Sequence, residues 1–509
     1  MITRIEIDGF KTFKDFSVEL APFQVIVGPN GSGKSNLFDA LHLLSRLAGN
    51  DLTLAFQELR GEVGELFTLL PDGKATNRIR LAIEVLANRK IQAIGEARQE
   101  EETVFIDKIA PNRSIPLQYT RLRYELEITL GTDTYGLERL YLTHESLKSI
   151  PEDEDKWCQR YGLSSRNNWL PEPKNDQKVF IDTKLTPVAI VEATADRSTY
   201  VVDQPMIFLY PDSDQQEKTR RFYANEVQQT VISRVTDIEH PHILAVHDEL
   251  LLLKFLHLNT EALRQPGSTI GSRFLSSEGK NLPRMLARIQ AEDKFALTSI
   301  SLDMANLVPG ILKVNVEQDK PGEQYIIFVE TSDGRTFSSR ILSDGTLRLL
   351  ALATIKNDLQ FQGTLCLEEP ENGVHPQRLK NLARLLRRMA TDFHDPEEKD
   401  EPLRQILITT HSSTFISLPE IIDSLLFAYT VAQVELLSSD NTSLEITCMT
   451  PVLTPSTQKQ FGMNAERDKT IEVYTLDEVL AYLDSEDIDE ARKQLREARN
   501  SFRPTFHEL

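Results

Sequence analysis

Three cysteines in 509 residues, Cys158, Cys366 and Cys448, are too scattered and too few to form a disulfide framework or a zinc site. A reducing cytoplasm suits them. No apolar run approaches the length of a membrane span, and the opening residues Met1 to Glu6 carry no signal-peptide pattern, so a cytoplasmic protein without a membrane partner is expected. Basic residues are outnumbered, 57 Lys and Arg against 77 Asp and Glu, for a net charge of -20. A protein that coats nucleic acid is usually basic, so any DNA contact must come from a local patch or depend on a nucleotide. The run Leu250 to Leu253 is not sustained over the heptads that a coiled coil needs, and no internal repeat is visible. What is present is a hydrophobic fraction of 40% and a mean hydropathy of -0.31, ordinary for a globular protein with material for two or three domains.

One stretch organises the rest. Val25-Ile-Val-Gly28-Pro29-Asn30-Gly31-Ser32-Gly33-Lys34-Ser35-Asn36 reads as an apolar strand, a glycine-rich loop and the start of a helix with Leu37, Ala40, Leu41 and Leu44 on one face. The spacing Gly28-x-x-x-x-Gly33-Lys34-Ser35 is that of a phosphate-binding loop. Glycines let backbone N–H groups approach phosphate oxygens, Lys34 can reach the β- and γ-phosphates, and the Ser35 hydroxyl suits Mg²⁺. The following helix would point its positive end at the anion.

Two alternating runs (Ile2, Ile5, Ile7 and Phe16, Val18, Leu20) around Gly9-Phe10-Lys11-Thr12-Phe13 predict paired strands. Period-two alternation from about 76 to 145 predicts a half-buried antiparallel sheet. Residues 146–178 are polar and acidic and are expected to be a mobile insertion, with Trp157 and Trp169 as candidate anchors. Strand-like runs at 179–181 and 187–191 give way to helical periodicity at 215–234 and 242–258. A further helix starts at Leu282, and a hairpin turns at Ser332-Asp-Gly334. The tail carries a helix pair that begins at the capping box Thr475-Leu-Asp-Glu478.

Three later stretches say what is done with a bound nucleotide. Leu342-Ser343-Asp344-Gly345-Thr346 precedes a leucine-rich helix that Ser343 can cap; it is either an ordinary capped helix or a second anion-binding terminus. Thr364-Leu-Cys-Leu367-Glu368-Glu369-Pro370 is an apolar strand ending in two carboxylates, where strands of an α/β sheet face their ligand. Gln405-Ile-Leu-Ile-Thr409-Thr410-His411 is another such strand, ending in a histidine suited to sensing a γ-phosphate.

Together the phosphate loop, Leu-Ser-Asp-Gly-Thr, Leu367-Glu-Glu-Pro-Glu-Asn-Gly-Val-His-Pro376 and Thr409-Thr-His-Ser412 resemble the ATP-binding-cassette ATPases of the RecF, SMC and OLD kind. The opening Ile5-x-Ile7-x-Gly9-Phe10-Lys11 looks like the first strand of that group, and residues 275–283 like a segment of its stand-alone AAA-type ATPases. The resemblance implies an α/β ABC-type P-loop head with an antiparallel β subdomain and a helical insertion. It divides the chain into 1–75 (first half of the ATPase core), 76–145 (β subdomain), 146–320 (insertion and helical subdomain), 321–435 (second half of the core) and 436–509 (C-terminal strand and acidic helical tail). It also implies ATP and Mg²⁺ as cofactors, and a head-to-head homodimer in which Ser343 and Gly345 of one copy close over ATP held by residues 28–36 of the other. Carried over by position, Glu368 is the Mg²⁺-associated acid, Glu369 the water-activating one, His411 the switch residue, Lys11 a nucleotide contact and Gln57 the Mg²⁺-sensing glutamine. Glu368 departs from the more usual Asp, and Asp344 sets a carboxylate near a γ-phosphate pocket.

The implied function is ATP hydrolysis in DNA repair or in defence against foreign DNA. The alternative is a regulatory subunit of a protein effector, such as a separately encoded nuclease, that touches no DNA itself. A built-in nuclease is disfavoured, because part of the short stretch after His411 must finish the ATPase sheet and Asp487-Ile-Asp489 reads as a helix start. Arg378, Lys380, Arg384, Arg387 and Arg388 form the best candidate patch for duplex DNA, or else a solvated helix face.

Overall fold

The computed structural model describes residues 1–70, 73–92, 98–100, 103–105, 114–172, 176–191, 199–212, 218–272, 274–434, 443–454 and 474–483. The second tail helix, Asp487 and Asp489 lie outside them. The architecture is α/β and rests on two large sheets.

The first sheet has eight antiparallel strands. At one edge are Phe16–Glu19 and Ile2–Asp8, paired as the alternating runs predict. Arg78–Leu86, Arg121–Thr132 and Glu138–Ser149 follow in order, with Ile79, Leu81, Ile83, Leu122, Tyr124, Leu126 and Ile128 buried on one face. The sheet then continues through Val179–Val191, Thr199–Leu209 and Arg220–Tyr223. The helical periodicity read over 215–234 is therefore overruled in part: Arg220–Tyr223 pairs with Thr199–Leu209, and only Val231–Arg234 forms a short helix. A tertiary partner outweighed a local pattern.

The second sheet carries the nucleotide motifs. Its order is Lys254–Leu256, Gly363–Glu368, Arg404–Thr410, Phe23–Val27 and Leu425–Val434, all parallel, then antiparallel Ser443–Leu453 and finally Tyr474–Thr475. The central strands are mostly apolar, and apart from Arg404 at one end both Phe23–Val27 and Arg404–Thr410 are buried, as a sheet covered on both faces requires. A smaller sheet holds Ile311–Asp319, Gln324–Thr331 and Thr336–Ser338, the last two forming the hairpin expected at Gly334. At the tail, Thr475 and Glu478 exchange the capping-box bonds that open helix Leu476–Leu483.

One amide joins the two sheets. Gln405 Oε1 accepts from Ile2 N (3.0 Å) and Thr364 Oγ1 (2.9 Å), while Nε2 donates to Ile2 O (2.7 Å) and Ala21 O (3.0 Å). The side chain is fully buried and all four of its hydrogen bonds are made.

The stretch expected to be mobile is packed instead over its described part. Trp157 and Trp169 are buried with Met1, Leu86 and Leu403, and both rings meet Phe393 edge-on at 5.9 and 4.9 Å. Trp157 Nε1 donates to Leu20 O at 3.0 Å. Asp155 caps the helix Lys156–Arg160 and holds the buried Arg121 guanidinium at 2.6 and 3.1 Å.

A second buried acid predicts a pH response. The Glu145 carboxylate accepts from Tyr124 OH (2.9 Å) and from the N–H groups of Val231 (2.6 Å) and Ile232 (3.0 Å). Burial outweighs these bonds and pushes its pKa up to about 7 from 4.5. The folded state thus holds the proton more tightly than the unfolded chain. The resulting stabilisation is full below pH 4.5, is lost as pH rises through about 7, and is absent above. Melting temperatures of the parent should therefore fall relative to Glu145→Gln between those values and run parallel to it above them.

Candidate functional site

The strand Phe23–Val27 is buried throughout and leads into the phosphate loop. A Cβ on Gly28 would lie 2.2 Å from Ala428 O, so only glycine lets the loop leave the sheet here. Gly33 has φ 88 and opens the helix Lys34–Gly49 with no side-chain cap and no acidic residue in the first turn, leaving first-turn N–H groups for an anion. Lys34 Nζ donates to Gly28 O and Pro29 O, both at 2.7 Å, with its third donor to spare. Burial pushes the Lys34 pKa down to about 8 against the pull of Glu369 and Glu368, which brings loop and acids into one electrostatic neighbourhood. The Ser32 hydroxyl is enclosed and has no partner among the described residues. Asn30 and Gly31 are exposed at the rim, with Pro29 and Ser35 half-buried behind them. These features fit a triphosphate. Asn36 turns away: its Nδ2 donates to Thr12 Oγ1 (2.9 Å), which meets Thr447 Oγ1 at 2.7 Å.

The acidic strand Gly363–Glu368 lies one strand away from the loop strand, across Arg404–Thr410. Its two carboxylates are each held by a histidine from a neighbouring strand's end. Glu368 Oε2 lies 3.1 Å from His257 Nε2, and Glu369 Oε1 lies 2.6 Å from His411 Nδ1. Glu369 also accepts from Asn372 Nδ2 at 2.5 Å, and its backbone sits at φ 48, a left-handed conformation rarely adopted by a side-chain-bearing residue. Its N–H is tied to Thr409 O at 2.9 Å. Behind them Glu371 is buried on Thr410 Oγ1, and burial raises its pKa. Ser35 and Glu368 would supply one hydroxyl and one carboxylate to Mg²⁺, a donor set that fits an ion completed by phosphate oxygens and water.

The helix Asp344–Lys356 starts at Ser343, whose Oγ accepts from Thr346 N (3.3 Å). Ser343 and Asp344 are exposed, and the Asp344 carboxylate is paired with Arg264, so its charge is compensated. Gly345 is buried against the acidic loop; a Cβ there would lie 2.3 Å from Gly373 O. Within one chain, no hydrogen bond among the described residues joins this terminus to residues 28–36.

Residues 23–417 match the family model described as "AAA domain, putative AbiEii toxin, Type IV TA system". The chain belongs to this family of P-loop ATPases. Among curated proteins, this AAA-domain ATPase is 24% identical over 179 residues to the DNA replication and repair protein RecF of Aliivibrio fischeri strain MJ11, and equally to that of strain ATCC 700601 / ES114. The match covers 35% of this chain and 48% of RecF, so the chain spans about half the length of the curated relatives it matches. Among solved structures, an Smc head bound to the C-winged helix domain of ScpA aligns at TM-score 0.44 and 14% identity, over 90% of this chain and 99% of that one. The SMC head domain from Thermotoga maritima aligns at 0.36 and 12%, over 89% and 99%. The family match and the RecF relatives bear out the RecF/SMC-like ABC ATPase that the motifs resemble.

Two further predicted site residues of this AAA-domain ATPase, Gln57 and Lys11, lie as follows. Gln57 is exposed at the end of helix Leu52–Gln57, and its side chain makes no hydrogen bond among the described residues. The groups that do face Glu368 are His257 and, at 4.0 Å, Arg60. The Lys11 ammonium lies 2.7 Å from Asp39 and 3.3 Å from Arg60 O. His257 was missed because it follows a strand of only three residues that reads as the end of a helix. Its signal is spatial: Leu256 is in register with Leu367, so the next residue on each strand is His257 and Glu368.

Proposed function

We propose that the chain is an ATP-hydrolysing switch of RecF/OLD type that closes head to head over ATP, acting in DNA repair or in defence against foreign DNA. The observation that supports it best is the pair of adjacent carboxylates, each clamped by its own histidine and both within electrostatic reach of Lys34. In this reading Lys34 and the N–H groups of residues 28–35 hold the phosphates, and Ser35 and Glu368 hold Mg²⁺. The ion, when bound, neutralises charge on the β- and γ-phosphates. Glu369 takes the proton of the attacking water, and His411 keeps that carboxylate aimed. His257, in place of Gln57, steadies Glu368.

On one copy the Ser343 hydroxyl and the adjoining helix terminus would meet the triphosphate held by the other. Hydrogen bonds to charged phosphate oxygens contribute about 1.5–3 kcal/mol each. Two or three of them, lost when the γ-phosphate leaves, move a dimer between mostly closed and mostly open.

A second reading, an effector-bound regulator without direct DNA contact, is favoured by one observation. Arg384 and Arg387 of the candidate patch are spent on Glu420, at 2.8 Å to its carboxylate and 2.9 Å to its carbonyl. The discriminating experiment is ATP turnover with duplex, single-stranded and nicked DNA, alongside retention on duplex DNA at low salt. Stimulation by any of them supports the first reading. Turnover that ignores all three, with no retention, replaces it with the second.

A further inference from the structure

A cleft of about 580 Å³ lies along the free edge of the core sheet and ends at Glu368. Phe38, Phe255 and Phe274 give it an aromatic lining. Its charged groups are mostly paired within the protein: Arg46 with Glu58 (2.9 Å), Arg60 with Asp39 (2.9 Å) and His257 with Glu368 (3.1 Å). His42 is neutral, because burial pushes its pKa down to about 4, and its Nε2 accepts from Arg46. Two further polar groups bear on a ligand. The Lys254 side chain is half-buried beside the rings of Phe274 (5.5 Å) and Phe361 (5.9 Å); it feels the Asp358 carboxylate, which Arg288 already holds at 2.7 Å, and it makes no hydrogen bond or ion pair among the described residues. The Ser276 hydroxyl is enclosed and has no partner among the described residues. An enclosed hydroxyl without an acceptor is costly, and a half-buried ammonium without a hydrogen bond is ready to accept an anion that brings one.

We infer that this cleft binds a small organic anion, its carboxylate or phosphate on Lys254 and Ser276 and an apolar or aromatic body against the phenylalanine rings, and that its occupancy tunes ATP turnover. Ligand sites commonly have this size and this mixture of apolar walls with few polar groups. The path to the chemistry is four residues long. Lys254 begins the strand Lys254–Leu256, locked in register with Leu365, Cys366 and Leu367, and the next residue is the His257 that steadies Glu368. An anion that draws on Lys254 therefore acts on the strand whose end holds the metal-side acid. Only this coupling rests on the ATPase reading; the binding does not.

The test uses the full chain with Mg²⁺ and saturating ADP, so that the phosphate loop is filled, and two probes, benzoate and phenyl phosphate. At least one probe should raise the parent's melting temperature by about 2 °C or more, since a ligand of the folded state stabilises it. The shift should vanish in Lys254→Met and persist in Lys254→Arg. In ATP the same probe should change turnover by about twofold or more in the parent alone, while Lys254→Met without probe matches the parent. If Lys254→Met does not fold, Ser276→Leu, which narrows the cleft and leaves Lys254 in place, carries the same comparison. No shift with either probe, or equal shifts in parent and Lys254→Met, overturns the site. A melting shift with unchanged turnover overturns the coupling and leaves the ATPase reading intact. Absence of turnover in every sample sinks the ATPase reading, while the melting series still decides the site.

Discussion

Glu369→Gln should bind ATP like the parent and hydrolyse it about 10²-fold more slowly or worse, the usual scale for losing a positioned general base. The geometry makes this a test of chemistry rather than of folding. Glutamine has the same shape as glutamate, keeps an oxygen for the Asn372 amide at 2.5 Å, and leaves the backbone bond from residue 369 to Thr409 O untouched. What it loses is the ability to accept a proton and the charge facing His411 at 2.6 Å. Phosphate release measures turnover, and a fluorescent ATP analogue measures binding. Light scattering with ATP should show the variant held at twice the parental mass, because the closed state is no longer released. Parental turnover in this variant would remove Glu369 from the mechanism.

Gly33→Ala should weaken nucleotide binding by about tenfold or more and lower the melting temperature by several degrees. The added Cβ would lie 2.0 Å from Thr447 Oγ1 and 2.7 Å from its Cγ2, and φ at 88 is strained for any L side chain. The strain alone is worth about 1–3 kcal/mol. The clash adds to it because Thr447 cannot swing aside. It is β-branched, its hydroxyl meets Thr12 Oγ1 at 2.7 Å, and its N–H is bonded to Thr12 O at 2.9 Å. Thr12 in turn braces Asn36 at the helix start, so the displacement reaches the loop that must hold the phosphates. Gly33→Ala with Thr447→Ala separates the two costs: the double variant should regain part of the lost stability, with the remainder belonging to φ. No regain would mean that the clash relaxes without cost.

The legible parts of this protein are those whose signal is local. The phosphate loop needs particular residues at adjacent positions, and alternation at Ile79, Leu81, Ile83 and Val85 sorts faces without knowledge of partners. Motif order along the chain then assembled Glu368, Glu369 and His411 on neighbouring strand ends, where the fold puts them. The illegible parts were decided by contacts distant in sequence. Arg220–Tyr223 is a strand only because Thr199–Leu209 lies beside it. Trp157 and Trp169 order a polar stretch through Phe393, more than two hundred residues away. His257 beside Glu368 escaped a linear reading because a parallel edge strand is recognised by its neighbour and not by its own three residues.

The amide of Gln405 has a mechanical consequence. It rivets the first strand of the chain to the base of the strand whose far end presents His411, so the eight-stranded sheet cannot tilt without levering that base. Any load hung on the outer sheet is thereby passed through a single side chain to the base of the strand that runs on to His411, so periphery and phosphate loop share one mechanical path.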